Sequence, residues 1–417
     1  MNYDTVIIGA GLAGLTTACH LAQAKQKVAL MSTGIGSLVL ASGCIDVLGF
    51  QPAASQQPVI NPAKQLGAFL TEQPEHPYHH LGQAKIEASL GAFLELVEGY
   101  EGSFDKNWLL PSTAGAVHPT CLAPKALAQG ELSQGGSMLI VGFKELRDFY
   151  PSLISHNLNA QNLGVQSEAI TIDAPPPLRE RMNITPIELA HAFEQAEFRQ
   201  QIVTEIRDKV KNCNRVGFPA VLGLQQHATV LADLERQLGR TVFEISTLPP
   251  SVPGRRLFEQ LRHYFLQHGG RLTIGSKVVD GTIESGRVSQ IRIETASRLQ
   301  AIKAQNYILA TGSIFGGGLQ TDNEGRVWEA VFNLPIEHET NRHAWFDKGF
   351  LAPQGQPVAR YGVQVNDRFN PVNSQTEPLA TNLHAVGGLL ANSVWTQGRT
   401  GDGVAVATAW RVRELLG

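Results

Sequence analysis

The chain has no pair of cysteines at ligand spacing. Its four cysteines, Cys19, Cys44, Cys121 and Cys213, include no CxxC, which argues against an iron–sulfur cluster or a structural zinc in this chain. They read as reduced, buried thiols. No apolar run approaches the roughly 20 residues that span a bilayer, and the best window, Ser137 to Phe143, has only the length of a strand. Membrane association is therefore expected to be peripheral. The charge has no excess of one sign: 34 Lys and Arg stand against 37 Asp and Glu, a formal net charge of −3. That excludes a general attraction for nucleic acid, and a phosphorylated substrate would need a local basic site. By Thr5 the chain already reads as strand, which leaves no room for a secretory leader, so a cytoplasmic location is expected.

What is present begins with DTVIIGAGLAGLTTACHLAQAKQKVALMS. Thr5 to Ile8 is a β-branched run, Leu15, Ala18, Leu21 and Ala22 recur at helical spacing, and Val28 to Met31 is a second strand. A strand–helix–strand unit of this length implies parallel pairing in a doubly wound sheet. Between strand and helix lies Gly9-Ala10-Gly11-Leu12-Ala13-Gly14. Gly9 permits a tight turn, Gly11 lets backbone approach a pyrophosphate, and Gly14 allows the helix to pack on the strand. The helix start then offers free N–H groups to phosphate. The acid usually found after the second strand to take ribose hydroxyls is missing; Ser32 and Thr33 stand there.

At 417 residues two domains are expected. A Pro-, Gln- and Ser-rich stretch from Gln51 to Pro62 reads as a connection, and Pro249-Pro250-Ser251-Val252-Pro253-Gly254 as a linker. Strands at Ser137–Val141, Ala169–Ile172, Val216–Val221 and Val242–Ile245, with a helical stretch at Pro186–Val210, suit an α/β unit over 63–248. A helix at Arg255–His268 is expected to lead into strands at Arg271–Ile274, Lys277–Ile283, Arg287–Thr295 and Tyr307–Ala310, three of them an antiparallel meander. The fold class is α/β: a Rossmann-like flavoprotein (FAD/NAD(P)-binding type) doubly wound sheet with a meander, from residues 1–50 and 254–417, plus a second, inserted α/β domain.

Other segments carry chemistry. Thr311-Gly312 is a small-residue turn at a strand end, where backbone passes close to a dinucleotide, with Gly316-Gly317-Gly318 as a loop beyond it. Gly387-Gly388 and Arg399-Thr400-Gly401-Asp402-Gly403 precede a last helix at Val404–Leu415, for which Asp402 reads as N-cap. That helix start could favour the anionic edge of a reduced flavin. Arg399 could bind the same edge or an anionic substrate, or be a solvated surface residue. Ser42 and Gly43 are small enough for close approach of a flavin ring, and Cys44 beside them has no partner for a redox role. Arg255 and Arg256 open a helix, where cations oppose the dipole, so they read either as a site for a nearby anion or as a plain basic pair. The HPYHH run at His76, His79 and His80 fits no metal-ligand spacing and reads as a polar loop. No metal is expected.

Seven segments together, IIGAGLAGL, SGCIDVLGF, HPYHHLG, VGFKELRDF, STLPPSVPGRRL, LATGSIFGGGL and the closing GDGV, resemble the B subunit of anaerobic glycerol-3-phosphate dehydrogenase. The resemblance implies a flavin-dependent partner in a complex that oxidises sn-glycerol 3-phosphate to dihydroxyacetone phosphate. Electrons would pass through an iron–sulfur protein to quinone in fumarate or nitrate respiration. It implies FMN, with FAD as the alternative that the glycine turn favours. Gly388, where many FAD proteins carry an acid, and the missing acid after the second strand favour FMN. The implied partners are a catalytic sister, the A subunit, and an iron–sulfur, membrane-anchoring C subunit, which would hold this chain on the inner face of the cell membrane. Candidate groups for catalysis are Arg399 and His343, with His338 and His384 as further possible bases. The rival readings are a soluble flavin oxidoreductase acting on another small acid and a non-catalytic assembly subunit.

Overall fold

A computed structural model describes residues 2–417 except 52–56, 296–297, 351, 353 and 394–396. The chain enters on β1 (Asn2–Ile8), turns through three residues into α1 (Leu12–Gln23) and returns on β2 (Val28–Ser32). β1 and β2 are parallel, with Thr5 opposite Val28 and Ile8 opposite Met31. Val6, Ile7, Leu15, Ala18 and Leu21 are fully buried, as a sheet covered on both faces requires.

The second sheet is formed by β3 (Gly136–Phe143), β4 (Val165–Ile172), β5 (Arg215–Pro219) and β6 (Thr241–Ile245), in the order β6-β5-β3-β4 and wholly parallel. The helical stretch at 186–210 is two helices, Pro186–Phe193 and Ala196–Val210. The break has a cause. Glu194 turns aside to accept the backbone N–H groups of Leu224, Gln225 and Gln226, and Gln195 is extended.

α2 (Val252–Gln267) starts inside the proline run rather than after it. The Ser251 hydroxyl accepts the Gly254 N–H at 3.0 Å, and Pro253 occupies the first turn, where its missing donor costs nothing. Next come β7 (Arg271–Ile274), β8 (Val278–Glu284), β9 (Arg287–Glu294), β10 (Leu299–Leu309), β11 (Leu383–Ala385) and α3 (Gly401–Leu416). The first sheet runs β7-β2-β1-β10 in parallel. The 11-residue β10 serves two neighbours on its other edge: its start pairs antiparallel with β9, and Tyr307–Leu309 pair parallel with β11. The meander is therefore an extension of the parallel sheet.

Two main hydrophobic cores underlie the two sheets. Leu66, Phe69, Ile86, Leu90 and Phe93 lie in the first core, with β1 and α1, and the second core begins at Leu109. The helices Pro62–Glu72 and Gln83–Leu94 thus pack with the nucleotide-type sheet, whereas the expected boundary at 63 puts them with the second.

Candidate functional site

The three glycines of the first turn differ in what constrains them. Gly9 has φ +112°, and a Cβ there would lie 2.2 Å from the Ala310 carbonyl oxygen at the end of β10. A Cβ on Gly14 would lie 1.9 Å from the Gly9 carbonyl oxygen. A Cβ on Gly11 would meet nothing within 4 Å among the described residues. Chain packing therefore demands the outer two glycines, while the middle one faces open space. Ala10 and Leu12 beside it are buried. Gly11 is the N-cap of α1, and no side chain among the described residues caps that helix, so its first N–H groups remain available.

Two more segments meet this turn. Thr311 follows Ala310, and its hydroxyl is buried with no partner among the described residues. Gly312 has φ +80°, and Gly318 folds back so closely that a Cβ there would stand 1.9 Å from the Gly312 carbonyl oxygen. Gly387, with φ +68°, is wedged against α1, its Cβ position 2.5 Å from that of Ala13, and Gly388 faces the Ser313 backbone. An uncapped helix start, an open face at Gly11 and an orphaned buried hydroxyl together fit a phosphate-bearing cofactor. The ribose side is different. The Ser32 hydroxyl donates to the Gly34 carbonyl at 2.7 Å, and Gly36 lies over the turn, its Cβ position 2.7 Å from the Gly11 Cα.

The segment around Ser42 and the start of α3 are brought together, for reasons the sequence does not display. Gly43, with φ +82°, faces Pro253, whose Cβ lies 2.9 Å from the Gly43 Cβ position, and the Ser42 hydroxyl accepts the Cys44 N–H. Gly403 faces the Tyr78 hydroxyl, only 2.1 Å from its Cβ position. Both glycines are thus already demanded by neighbours in the chain. Asp402 is not the N-cap: Thr400 holds that position, and α3 begins at Gly401 with Asp402 in its first turn.

A charged cluster underlies this region. The buried Asp46 accepts from His118 Nε2 at 2.9 and 3.0 Å and from Arg399 Nε and Nη2 at 3.0 and 2.8 Å. Arg399 adopts φ +51°, uncommon for a side-chain-bearing residue. Asp402 Oδ2 accepts the Asp46 N–H at 3.4 Å, and Gly403 N–H donates to the Asp46 carbonyl at 2.9 Å. Burial alone would raise the Asp46 carboxyl, but His118 and Arg399 hold it below the usual carboxylate range. Burial and the Asp46 charge push Asp402 up to about 7. His118 escapes a reading of the sequence because its partner lies 72 residues away.

The HPYHH run is only partly a polar loop. His76 is 1% exposed; its Nδ1 accepts the Tyr78 N–H, and its Nε2 lies 3.1 Å from both the Ser393 carbonyl and the Thr400 hydroxyl. Tyr78 Oη donates to the Val47 carbonyl at 2.9 Å and lies 3.3 Å from that of Thr400. Together they brace the turn that carries Arg399 and Asp402. His79 lies at the surface, and His80 pairs with Asp367.

The other candidates differ in what holds them. Arg256 is buried and spent, donating to both oxygens of the fully buried Glu244 at 2.7 and 3.0 Å and to the Gly223 carbonyl. Four of its five N–H donors are thus engaged inside the fold, whereas Arg255 is 41% exposed and holds Glu259 at 3.3 Å. His338 lies with one ring nitrogen on the Ile336 carbonyl and the other on that of Gly325. His384 is buried against the Arg368 carbonyl, and burial lowers its pKa. His343 is exposed on a short 3₁₀ turn. Burial pushes the Cys44 thiol far up, which removes its thiolate at neutral pH.

The FAD binding domain family matches residues 4–403, almost the whole chain, and indicates a flavin cofactor, FAD or FMN. The chain is 32% identical over 416 residues, 98% of its length and 96% of the relative's, to the probable B subunit of anaerobic glycerol-3-phosphate dehydrogenase from Halobacterium salinarum. It is 31% identical to the B subunit of the same dehydrogenase from Glaesserella parasuis serovar 5, covering 100% of this chain and 99% of that one. The counterpart from Actinobacillus pleuropneumoniae serotype 5b is 32% identical, again over 100% and 99%. The glycine turn, the Thr311 corner and the Asp402 turn all lie within the matched span, and the chain belongs to the FAD binding domain family and, within it, to the family of anaerobic glycerol-3-phosphate dehydrogenase B subunits.

Proposed function

We propose that this chain is the flavin-carrying subunit of a respiratory dehydrogenase that oxidises sn-glycerol 3-phosphate to dihydroxyacetone phosphate. One observation carries the reading: the family likeness spans the chain from the turn at Gly9 to the turn at Asp402, which lie at opposite ends of the chain and in one fold. When bound, the flavin supplies the two-electron acceptor. Gly9, Ala10, Gly11, Leu12 and Gly14 would hold its phosphate on the start of α1, with the Thr311 hydroxyl, Gly312, Gly387 and Gly388 beside them. Ser42, Gly43, Gly401, Asp402 and Gly403 would border the ring. Arg399, 38% exposed beyond its contact with Asp46, and Arg255 are the cations open to an anionic substrate.

The flavin of this reading is FMN. The Ser32 hydroxyl is engaged with Gly34 and no acid follows β2, which leaves an adenylate ribose without its usual anchor. The nucleotide-type fold would be discontinuous, built from both ends of the chain around an inserted α/β unit. Four buried cysteines without ligand spacing fit a chain that hands its electrons on. The recipient would be an iron–sulfur C subunit, which would hold this chain on the inner face of the cell membrane, with the A subunit as a catalytic sister. No helix among the described residues is long and apolar enough to cross a membrane. The test is release of the flavin from the purified protein and its identification by mass. FMN is the expected result; FAD would overturn the choice of flavin, and a chain still colourless after supplementation with both would overturn the cofactor assignment.

A further inference from the structure

Oxidising a secondary alcohol removes a hydride from carbon and a proton from oxygen, and the proton needs a base within hydrogen-bond reach. His338 has both ring nitrogens on backbone carbonyls, His384 is buried in the fold with Nδ1 on the Arg368 carbonyl, and His343 lies on an exposed turn. Two carboxylates remain at the start of α3, and their surroundings differ sharply. Asp46 is saturated by one imidazole and one guanidinium. The half-buried Asp402 has a single side-chain hydrogen bond among the described residues, the 3.4 Å bond from the Asp46 N–H, and no cation hydrogen-bonded to it. A carboxylate pair whose environments diverge in this way divides into one fixed charge and one proton carrier.

We propose that Asp402 is the base of this site: it takes the hydroxyl proton of the alcohol while the carbon-bound hydrogen leaves as hydride to the oxidised flavin, and the ketone remains. Asp46, pinned by His118 and Arg399, stays ionised and keeps Asp402 basic. The groups facing Asp402 are Asp46, Arg399, Cys44, Tyr78 and Tyr100. The cysteine and both tyrosines are held neutral, mainly by burial, so the carboxylate and the guanidinium set its charge. Asp402 is held near neutrality, where a base is half ionised at working pH. The proposal rests on the dehydrogenase reading above.

The test compares the flavin-loaded wild type with Asp402→Asn. Anaerobic bleaching by sn-glycerol 3-phosphate should slow about tenfold per pH unit below about pH 7 in the wild type. The variant should bleach at least about 100-fold more slowly and lose that limb. A second readout needs no turnover: infrared difference spectra of the substrate-free protein should show carboxylic acid absorbance titrating near neutral pH from Asp402 and from the buried Glu329, and Asp402→Asn should remove the Asp402 share of it. A folded, flavin-loaded variant that keeps the wild-type rate and limb overturns the base assignment, as does a variant whose carboxylic acid absorbance near neutral pH is unchanged from wild type. A wild-type flavin that substrate never bleaches, in the chain by itself or together with its A subunit, overturns the dehydrogenase reading itself.

Discussion

A Cβ on Gly14 would stand 1.9 Å from the carbonyl oxygen of Gly9, while the same atom on Gly11, three residues earlier, would meet no described atom within 4 Å. Gly14→Ala should therefore cost about 1–3 kcal/mol of stability through overpacking. Gly11→Ala should leave stability within about 0.5 kcal/mol of wild type yet weaken flavin binding about tenfold or more, worth at least about 1.4 kcal/mol. Urea unfolding of the flavin-free proteins and a flavin titration separate the two effects. Equal loss of stability in both variants would show that Gly11 is a packing glycine as well.

Arg256 and Glu244 make a different prediction. The pair is buried, so removing the cation strands a carboxylate, and Arg256→Met should cost about 3–5 kcal/mol in urea unfolding. Replacing Glu244 by Leu as well should restore most of that loss, because two apolar side chains leave no uncompensated charge. If Arg256 held the substrate phosphate instead, the double variant would be stable but would need far more substrate for half-saturation.

His76 should govern part of the acid sensitivity. Burial lowers its pKa to about 3 against an ordinary value of 6.5, so between those values the unfolded chain binds the extra proton and stability rises with pH. At pH 5 the contribution is a loss of about 2 kcal/mol relative to neutral pH. His20, lowered by burial to about 4, acts in the same direction. Asp402 and Glu329, both raised to about 7, act in the opposite one. The expected result is thus a difference: His76→Gln should lose stability less steeply than wild type from pH 7 to pH 5, as read by unfolding midpoints. Parallel curves would contradict it.

Gly403 and Tyr78 can be tested as a pair. Gly403→Ala sets its methyl on the Tyr78 hydroxyl and the Val47 Cα, and should destabilise by about 1–3 kcal/mol. Tyr78→Phe removes one of those obstacles at the cost of the bonds to Val47 and Thr400. The double variant should be more stable than the sum of the single changes implies, a coupling that a double-mutant cycle measures.

How much of the fold and site is legible in the sequence depends on range. The first strand–helix–strand unit, the four strands of the second sheet and the meander all stand out, because apolar periodicity and glycine punctuation are local signals. So does the glycine turn, although only the structure separates Gly11 from Gly9 and Gly14. The start of α2 lies three residues before the expected one, because a proline at the first helical turn looks like a breaker when read alone. Non-local partnerships are invisible: His118 with Asp46, Arg256 with Glu244, and Tyr78 with Gly403. Arg256 illustrates the consequence. As one of two arginines at a helix start it suggests an anion outside, and the anion is Glu244 inside the fold.

The most direct measurement is an anaerobic titration of the purified, flavin-loaded protein with sn-glycerol 3-phosphate, followed by flavin absorbance and by assay of the product. The dehydrogenase reading predicts bleaching, with dihydroxyacetone phosphate formed in equal amount to the flavin reduced. A flavin that stays oxidised with this substrate both in the chain by itself and with the A subunit added, or a chain that binds neither FMN nor FAD, would contradict it.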